Sequence, residues 1–333
     1  VRIAVTGSIA TDHLMTFDGR FRDSLVVEQL DKISVSFLVE DLEVRRGGVA
    51  ANIAFGLACL GLRPVLVGAV GRDFGDYRAW LERHGVDCDS IHTSELRHTA
   101  RFVCTTDKSH AQIASFYAGA MTEARQIELS PVAGRLDGLD LVLIGANDPE
   151  AMRRHTDECR DRGYAFAADP SQQLAWSDGE MIRSLIDGAT YLFSNEYEAA
   201  LTEQKTGWST EKILSRVQVL VTTLGDQGVR IHRKGEETIH VPCAPERSKT
   251  DPTGVGDGFR AGFLAGIGWG LSVERSAQVG CLLAAHVIET TGPQEYHLTH
   301  RDFVTRMAQA YGDEAAADVE PIVRCAQEEI TRA

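Results

Sequence analysis

The chain has 333 residues, 43% of them hydrophobic and 25% charged, with a formal net charge of −14. These proportions are ordinary for a globular protein and give enough chain for one large α/β domain with an appendage, or for two domains. The acidic balance argues against a nucleic-acid partner, which needs clustered Lys and Arg, and no run of about 18 apolar residues exists to span a membrane.

The N-terminal Val1-Arg2-Ile3-Ala4-Val5 reads as a strand rather than a signal peptide. Seven cysteines, Cys59, Cys88, Cys104, Cys159, Cys243, Cys281 and Cys325, are scattered without a C-x-x-C pair. That pattern suits free thiols in a reducing compartment, the cytoplasm, better than disulfides or zinc.

In chain order, residues 2–8 and 11–17 read as strands broken at Gly7. Asp12 could accept hydrogen bonds from ligand hydroxyls, or be a solvated turn residue. Residues 18–31 are polar and irregular. Residues 32–45 alternate (Ile33, Val35, Phe37, Val39), which predicts a half-buried strand. Gly47-Gly48 then precedes a small-residue helix. Asn52, four residues past Gly48 and one helical turn on, could point back at whatever Gly48 touches. Tight packing at a helix start is the plainer alternative. Residues 64–70 predict a buried strand, Gly71 to Gly75 a structural turn, and residues 76–84 a helix.

Residues 99–106 and 111–117 predict a hairpin around Asp107 to His110, with Phe102 and Phe116 at corresponding ends. Those rings are either core or flat faces for a ligand. From residue 139, strands Leu141 to Ile144, Tyr164 to Ala168, Tyr191 to Ser194 and 217–222 alternate with helices over 149–162 and 179–186. Short apolar strands alternating with helices predict a doubly wound, mostly parallel sheet with ligands beyond the strand carboxyl ends. There stand Ser171-Gln172-Gln173, open to a base or ribose or else ordinary loop. Asn195 and Glu198 share one face of an opening helix, where both could be only caps. The run Thr223-Leu224-Gly225-Asp226-Gln227-Gly228 follows the strand 217–222. Residues 229–234 and 237–242 predict a hairpin, and 257–268, 272–290 and 301–311 helices.

At the mouth of the first of those helices stands Asp251-Pro252-Thr253-Gly254-Val255-Gly256-Asp257-Gly258. A glycine-rich turn at a helix N-terminus holds anions well. Asp257 among those N–H groups could take a proton from a hydroxyl, or simply cap the helix. No Gly-x-x-x-x-Gly-Lys-Ser/Thr loop is present, the glycine spacing does not fit Gly-x-Gly-x-x-Gly, and no Gly-x-Ser-x-Gly elbow occurs. P-loop, dinucleotide and serine-hydrolase chemistry are thereby disfavoured.

The octamer resembles the signature of the ribokinase-like (PfkB) family of sugar and nucleoside kinases, with Pro252 and Val255 departing from its commonest residues. Gly47-Gly48 with Asn52, Asn195 with Glu198, and Thr223 to Gly228 resemble three further family elements, in family order, and the resemblance covers about residues 1–311. It implies an α/β ribokinase-like fold: a doubly wound sheet flanked by helices, with a small β-sheet lid. One kinase domain would span 1–323, lid strands would be inserted near 12–46 and 98–118, and 324–333 would be a tail. It implies Asp257 as catalytic base and Gly254 with Gly256 as anion hole. Ser8, Asp12, Ser36, Gly48 and Asn52 would hold a ribose, and Phe102, Phe116, Gln172 and Gln173 a purine. Asn195, Thr223, Leu224, Gly225, Asp226, Gln227, Gly228 and Gly256 would contact ATP. Glu198 would order Mg²⁺ through water, and Asp251 would contribute to a K⁺ site. The sequence looks most like bacterial adenosine kinases, with a ribokinase or fructokinase and a non-catalytic sensor as the other readings, and a homodimer formed through the lid.

Overall fold

Runs of β-branched and apolar residues too short for helices become the strands of this protein. The structure, a computed structural model, describes residues 1–25, 31, 32 and 34–324. Among them the strands are β1 (Ile3–Thr6), β2 (Ala10–Phe17), β3 (Asp41–Gly47), β4 (Val65–Val67), β5 (Ala69–Val70), β6 (His92–Thr93), β7 (Ala100–Asp107), β8 (Gln112–Tyr117), β9 (Leu141–Ile144), β10 (Phe166–Ala168), β11 (Tyr191–Asn195), β12 (Val219–Thr223), β13 (Val229–Arg233) and β14 (Ile239–Val241).

The main sheet runs β14-β13-β12-β11-β10-β9-β1-β4. Its six strands from β12 to β4 are parallel, and β13 and β14 add an antiparallel edge. Side-chain alternation divides the core in two. Ile3, Val5, Leu141 and Leu143 face the helices Val49–Cys59, Val255–Gly268 and Val273–Ile288. Ala4, Val142 and Ile144 face the helices Leu129–Leu136, Pro149–Arg162 and Gly179–Ile186. Helices on both faces explain why these strands are apolar throughout.

A second sheet, β3-β2-β7-β8, carries the expected hairpin, with Phe102 directly opposite Phe116. A third, small sheet pairs β5 with β6. The predicted strand over 64–70 divides at Gly68, where β4 pairs with β1 and β5 leaves for β6. The predicted strand over 32–45 is corrected. It starts only at Asp41, because its partner β2 ends near Phe17 and the register closes with Thr16 opposite Asp41. Phe37 instead packs its ring against Phe17 and Phe21; Ile33 lies outside the described residues.

Several elements were not read from the sequence, among them the strand His92–Thr93, the helices Phe21–Ser24, Gln173–Trp176 and Thr210–Leu214, a 3-10 segment at Gly119–Gln126, the helix Leu129–Leu136 and the helix Asp313–Val319. The last lies in the Ala/Asp/Glu-rich stretch and buries Ala315, Ala316 and Val319. Of the expected tail 324–333, all but Arg324 lies outside the described residues. Among the described residues no helix is long and apolar enough to cross a membrane.

Candidate active site

The glycine-rich turn does open a helix. Gly254 sits in the left-handed region (φ 77°) as N-cap of Val255–Gly268, and a side chain there would collide with Pro293. The Val255 N–H bonds the Pro252 carbonyl. The following first-turn amides, on Gly256 and Asp257, have no intrahelical carbonyl to bind. Gly254, Gly256 and Asp257 all line one cavity of about 860 Å³, together with Thr253, Gly48 and Asn52. A helix end with free first-turn amides is suited to an anion, and here a carboxylate stands beside it.

Asp257 is held from the side by Asn52. Asn52 Nδ2 donates to Asp257 Oδ2 at 2.8 Å, and Gln294 Nε2 donates to Asn52 Oδ1 at 2.9 Å. Gln294 also contacts the Tyr77 hydroxyl, which donates to the Gly47 carbonyl. Burial raises the Asp257 carboxyl to about 6, against the pull of the Asn52 bond and of the Arg260 guanidinium. A carboxylate poised near neutrality suits a general base. Gly48 adopts φ 96°, and a Cβ there would lie 2.6 Å from the Ser8 carbonyl oxygen, so only glycine lets the chain pass.

Beneath Asp257 lies a buried ion pair that sequence reasoning missed. Arg260 Nη2 donates to Asp169 Oδ1 at 2.7 Å, its Nε stands 2.5 Å from Asp169 Oδ2, and its Nη1 donates to the Gly256 carbonyl at 3.0 Å. Burial pushes the Asp169 carboxyl up, and the charge of the Arg260 guanidinium and its Nη2 hydrogen bond oppose it. Glu198 approaches the same guanidinium at 3.9 Å. The available signal was an arginine inside the otherwise apolar run Phe259 to Leu264. Asn147 was also missed. It is buried, lines the cavity, and its Nδ2 has no partner among the described residues, while its Oδ1 accepts the Asp148 N–H.

On the small-sheet side, Asp12, Phe102 and Phe116 line the cavity, with Asp12 beside Phe102 across β2 and β7. Burial pushes the Asp12 carboxyl up. Ser8 also lines it, but its hydroxyl accepts the Val49 N–H and so caps the helix behind. Ser36 is not brought to the site: it is exposed and absent from the cavity wall, because the strand that would have carried it begins later.

On the far side, Gln172, Gln173, Asn195, Glu198, Thr223 and Gly225 line the cavity. Gln173 Nε2 donates to the Asn147 carbonyl. Asn195 and Glu198 form a reciprocal capping box, each side chain accepting the other's N–H at 2.8 Å. The capping reading is therefore realised, and both residues face the cavity as well. Leu224 is buried beneath the loop, Asp226 and Gln227 are exposed off the cavity wall, and Gly228 turns the chain at φ 89°. Asp251 accepts from the Thr253 N–H, the Gly292 N–H and Arg45 Nη1.

The family model described as pfkB family carbohydrate kinase matches residues 14–300. A nucleoside kinase of Methanocaldococcus jannaschii is 29% identical over 298 residues, covering 88% of this chain and 92% of that one. The structure of Burkholderia thailandensis nucleoside kinase in complex with inosine is 34% identical, with a TM-score of 0.81, covering 93% of this chain and 99% of that one. The same enzyme in complex with ADP-inosine is 35% identical, with a TM-score of 0.79, covering 93% and 96%. The chain belongs to the PfkB family of kinases, with the ribokinase fold and phosphotransfer to a hydroxyl acceptor as its chemistry.

Proposed function

We propose that this protein is an ATP-dependent nucleoside kinase whose acceptor is adenosine, transferring the γ-phosphoryl group to the ribose 5′-hydroxyl to give AMP and ADP. The observation that carries the reading is the pairing of Phe102 with Phe116 on the wall of the cavity that also holds Asp257. Flat rings suit the flat face of a purine better than a bare sugar. The likeness to nucleoside kinases, one of them in complex with inosine, supports the same substrate class.

Phosphoryl transfer asks mainly for positioning and charge stabilisation. Asp257 accepts the 5′-hydroxyl proton while Asn52 fixes its orientation. The first-turn amides at Gly256 and Asp257 receive the charge on the transferring group. Asp12, Gly48 and Asn52 hold the ribose hydroxyls, and Gln172, Gln173 and the unpartnered Asn147 amide offer hydrogen bonds to the ligand. Asn195, Thr223 and Gly225 border the nucleotide. Magnesium fits this wall: Glu198 offers a carboxylate at the cavity, and Mg²⁺ commonly uses one or two carboxylates plus phosphates and water. When bound it neutralises charge between the β- and γ-phosphates.

The small sheet then acts as a lid, excluding water that would compete as acceptor. Its outer face leaves Leu42, Val44 and Ile113 exposed, which supports a homodimer through that face. The six described cysteines are free, in keeping with a cytoplasmic setting.

The test is ADP formation from ATP and Mg²⁺ with adenosine, inosine, ribose and fructose. Adenosine should lead, and Phe102→Ala should raise the nucleoside KM about tenfold, a loss of about 1.4 kcal/mol, while leaving any ribose turnover unchanged. A preference for a bare sugar refutes the acceptor. Turnover retained in Asp257→Asn refutes the base.

A further inference from the structure

The family resemblance implies a monovalent cation at Asp251, and the side chains there do not fit one. A carboxylate offers about four lone-pair positions. At Asp251 three of them are taken by donors: the Thr253 N–H on Oδ1 at 2.9 Å, the Gly292 N–H on Oδ2 at 3.1 Å, and Arg45 Nη1 on Oδ2 at 2.9 Å. A hard cation needs oxygen lone pairs, whereas this carboxylate already accepts two backbone N–H groups and a guanidinium. The Asp251 and Arg45 side chains are only 12% and 19% exposed, so the pair is poorly screened by solvent.

We propose that Arg45 is a built-in cation: its guanidinium takes the place of a bound potassium ion behind the anion hole and makes this enzyme independent of monovalent cations. The geometry suits that role. Arg45 is in register with Asp12 on β2, and its Nε and Nη2 bind Glu43 at 2.7 and 2.8 Å, which aims Nη1 at Asp251. A Cβ on Gly292 would lie 3.6 Å from Arg45 Cδ, so the arginine stem packs on the loop that would otherwise surround the ion. Asp251 in turn begins the turn that ends in Gly254 and Gly256. Arg45 touches neither cavity nor reacting atoms; it is a positioning residue that holds this turn in shape. Being planar and permanently charged, arginine fixes direction as well as charge.

The test compares potassium, sodium and choline chlorides at one ionic strength, using the full chain and its Arg45→Ala and Arg45→Lys variants. Two quantities are read: kcat with the best acceptor of the panel above, and the thermal midpoint without substrate. The parent should turn over at rates within twofold in all three salts, with the same midpoint in each. Arg45→Ala should lose at least tenfold in kcat in choline, regain several-fold in potassium, and gain thermal stability in potassium alone. Arg45→Lys should fall between. A parent stimulated fivefold or more by potassium, or stabilised by it over choline, overturns the proposal. So does an Arg45→Ala protein that is fully active in choline, or one whose loss no cation relieves. The thermal readout needs no acceptor, so failure of the adenosine assignment leaves it standing. If Arg45→Ala does not fold, the salt comparison on the parent decides.

Discussion

Replacing Asn52 with leucine should move the acid limb of the pH–rate profile upward by about one unit. The Asp257 carboxyl stands at about 6 because burial favours its neutral form more than Asn52 and Arg260 favour the ionised one. A general base works only when ionised. In the parent, kcat/KM should therefore fall with unit slope as pH drops through about 6, two units above an ordinary aspartate. The bond from Asn52 Nδ2 at 2.8 Å stabilises the charged form. A hydrogen bond to a charged group contributes about 1.5–3 kcal/mol, and 1.36 kcal/mol is one pKa unit. That gives an upper range of about one to two units, and because Asp257 opens onto the cavity, water recovers part of the loss, leaving about one.

Gln294→Leu supplies the control. Gln294 touches Asn52 Oδ1 and the Tyr77 hydroxyl but not Asp257, and it does not line the cavity. Its loss should shift the limb in the same direction by less, with little change in acceptor KM, while Asn52→Leu should raise KM as well. The assay is initial-rate kinetics from pH 5 to 9 at constant ionic strength. A parent limb below pH 5, or a limb that stays put in both variants, would refute the assignment of the base and the account of its environment.

Two further outcomes follow from ion pairs. Asp73 is held at about 2: burial would raise it, but the Thr99 N–H and hydroxyl and the Arg101 guanidinium hold it down. A depressed carboxylate stabilises the fold above its unfolded value and loses that contribution as pH falls toward its folded one. Asp73→Asn should thus cost about 1–2 kcal/mol in urea unfolding at pH 7, with the difference vanishing between pH 4 and 2; an equal cost at both ends would sink this reading. Arg260→Leu should cost about 3–5 kcal/mol by stranding the Asp169 charge, whereas the double variant Arg260→Leu with Asp169→Leu should regain most stability but not turnover. Recovery of both would mean that the pair only fills space.

The sequence makes the parallel sheet legible because its strands are buried on both faces and so carry unbroken apolar runs, Leu141 to Ile144 being recovered to the residue. The helices Pro149–Arg162 and Gly179–Ile186 were legible for a similar reason, each having a true start signal, Asp148 and Asp178, whose side chains cap them. What failed was local pattern without a partner. Residues 34–39 alternate like a strand, yet among the described residues no neighbouring strand extends far enough to pair with them, and a ladder needs two sides. Within the site, residues carried by glycine-rich turns could be found, since glycine at Gly48 and Gly254 is forced by backbone angle. Asp169, Asn147 and Gln294 could not, and Arg260 stood out only as a charge within the apolar run Phe259 to Leu264. Each acts through a partner remote in sequence, and Asp-Pro after a strand or a glutamine near Tyr296 carries no local mark.

The two glycine-rich motifs are one physical unit rather than two sites that happen to share a cavity. The segment from Arg45 to Asn52 is bonded to the segment from Asp251 to Asp257 twice, by Arg45 to Asp251 and by Asn52 to Asp257, across 206 and 205 residues of chain. Gln294 and Gly292 close the same ring from a third segment. The first of these bonds starts on β3, an edge strand of the small sheet, and the second starts in the helix that follows it directly. If the small sheet closes over the cavity as proposed, any movement of β3 must therefore pull on the turn that presents Gly254 and Gly256 and on the amide that holds Asp257, the proposed base. Alignment of the base thus depends on the position of the lid, so full activity requires the lid sheet in place, and an acceptor too small to hold the sheet down should lower kcat as well as raise KM.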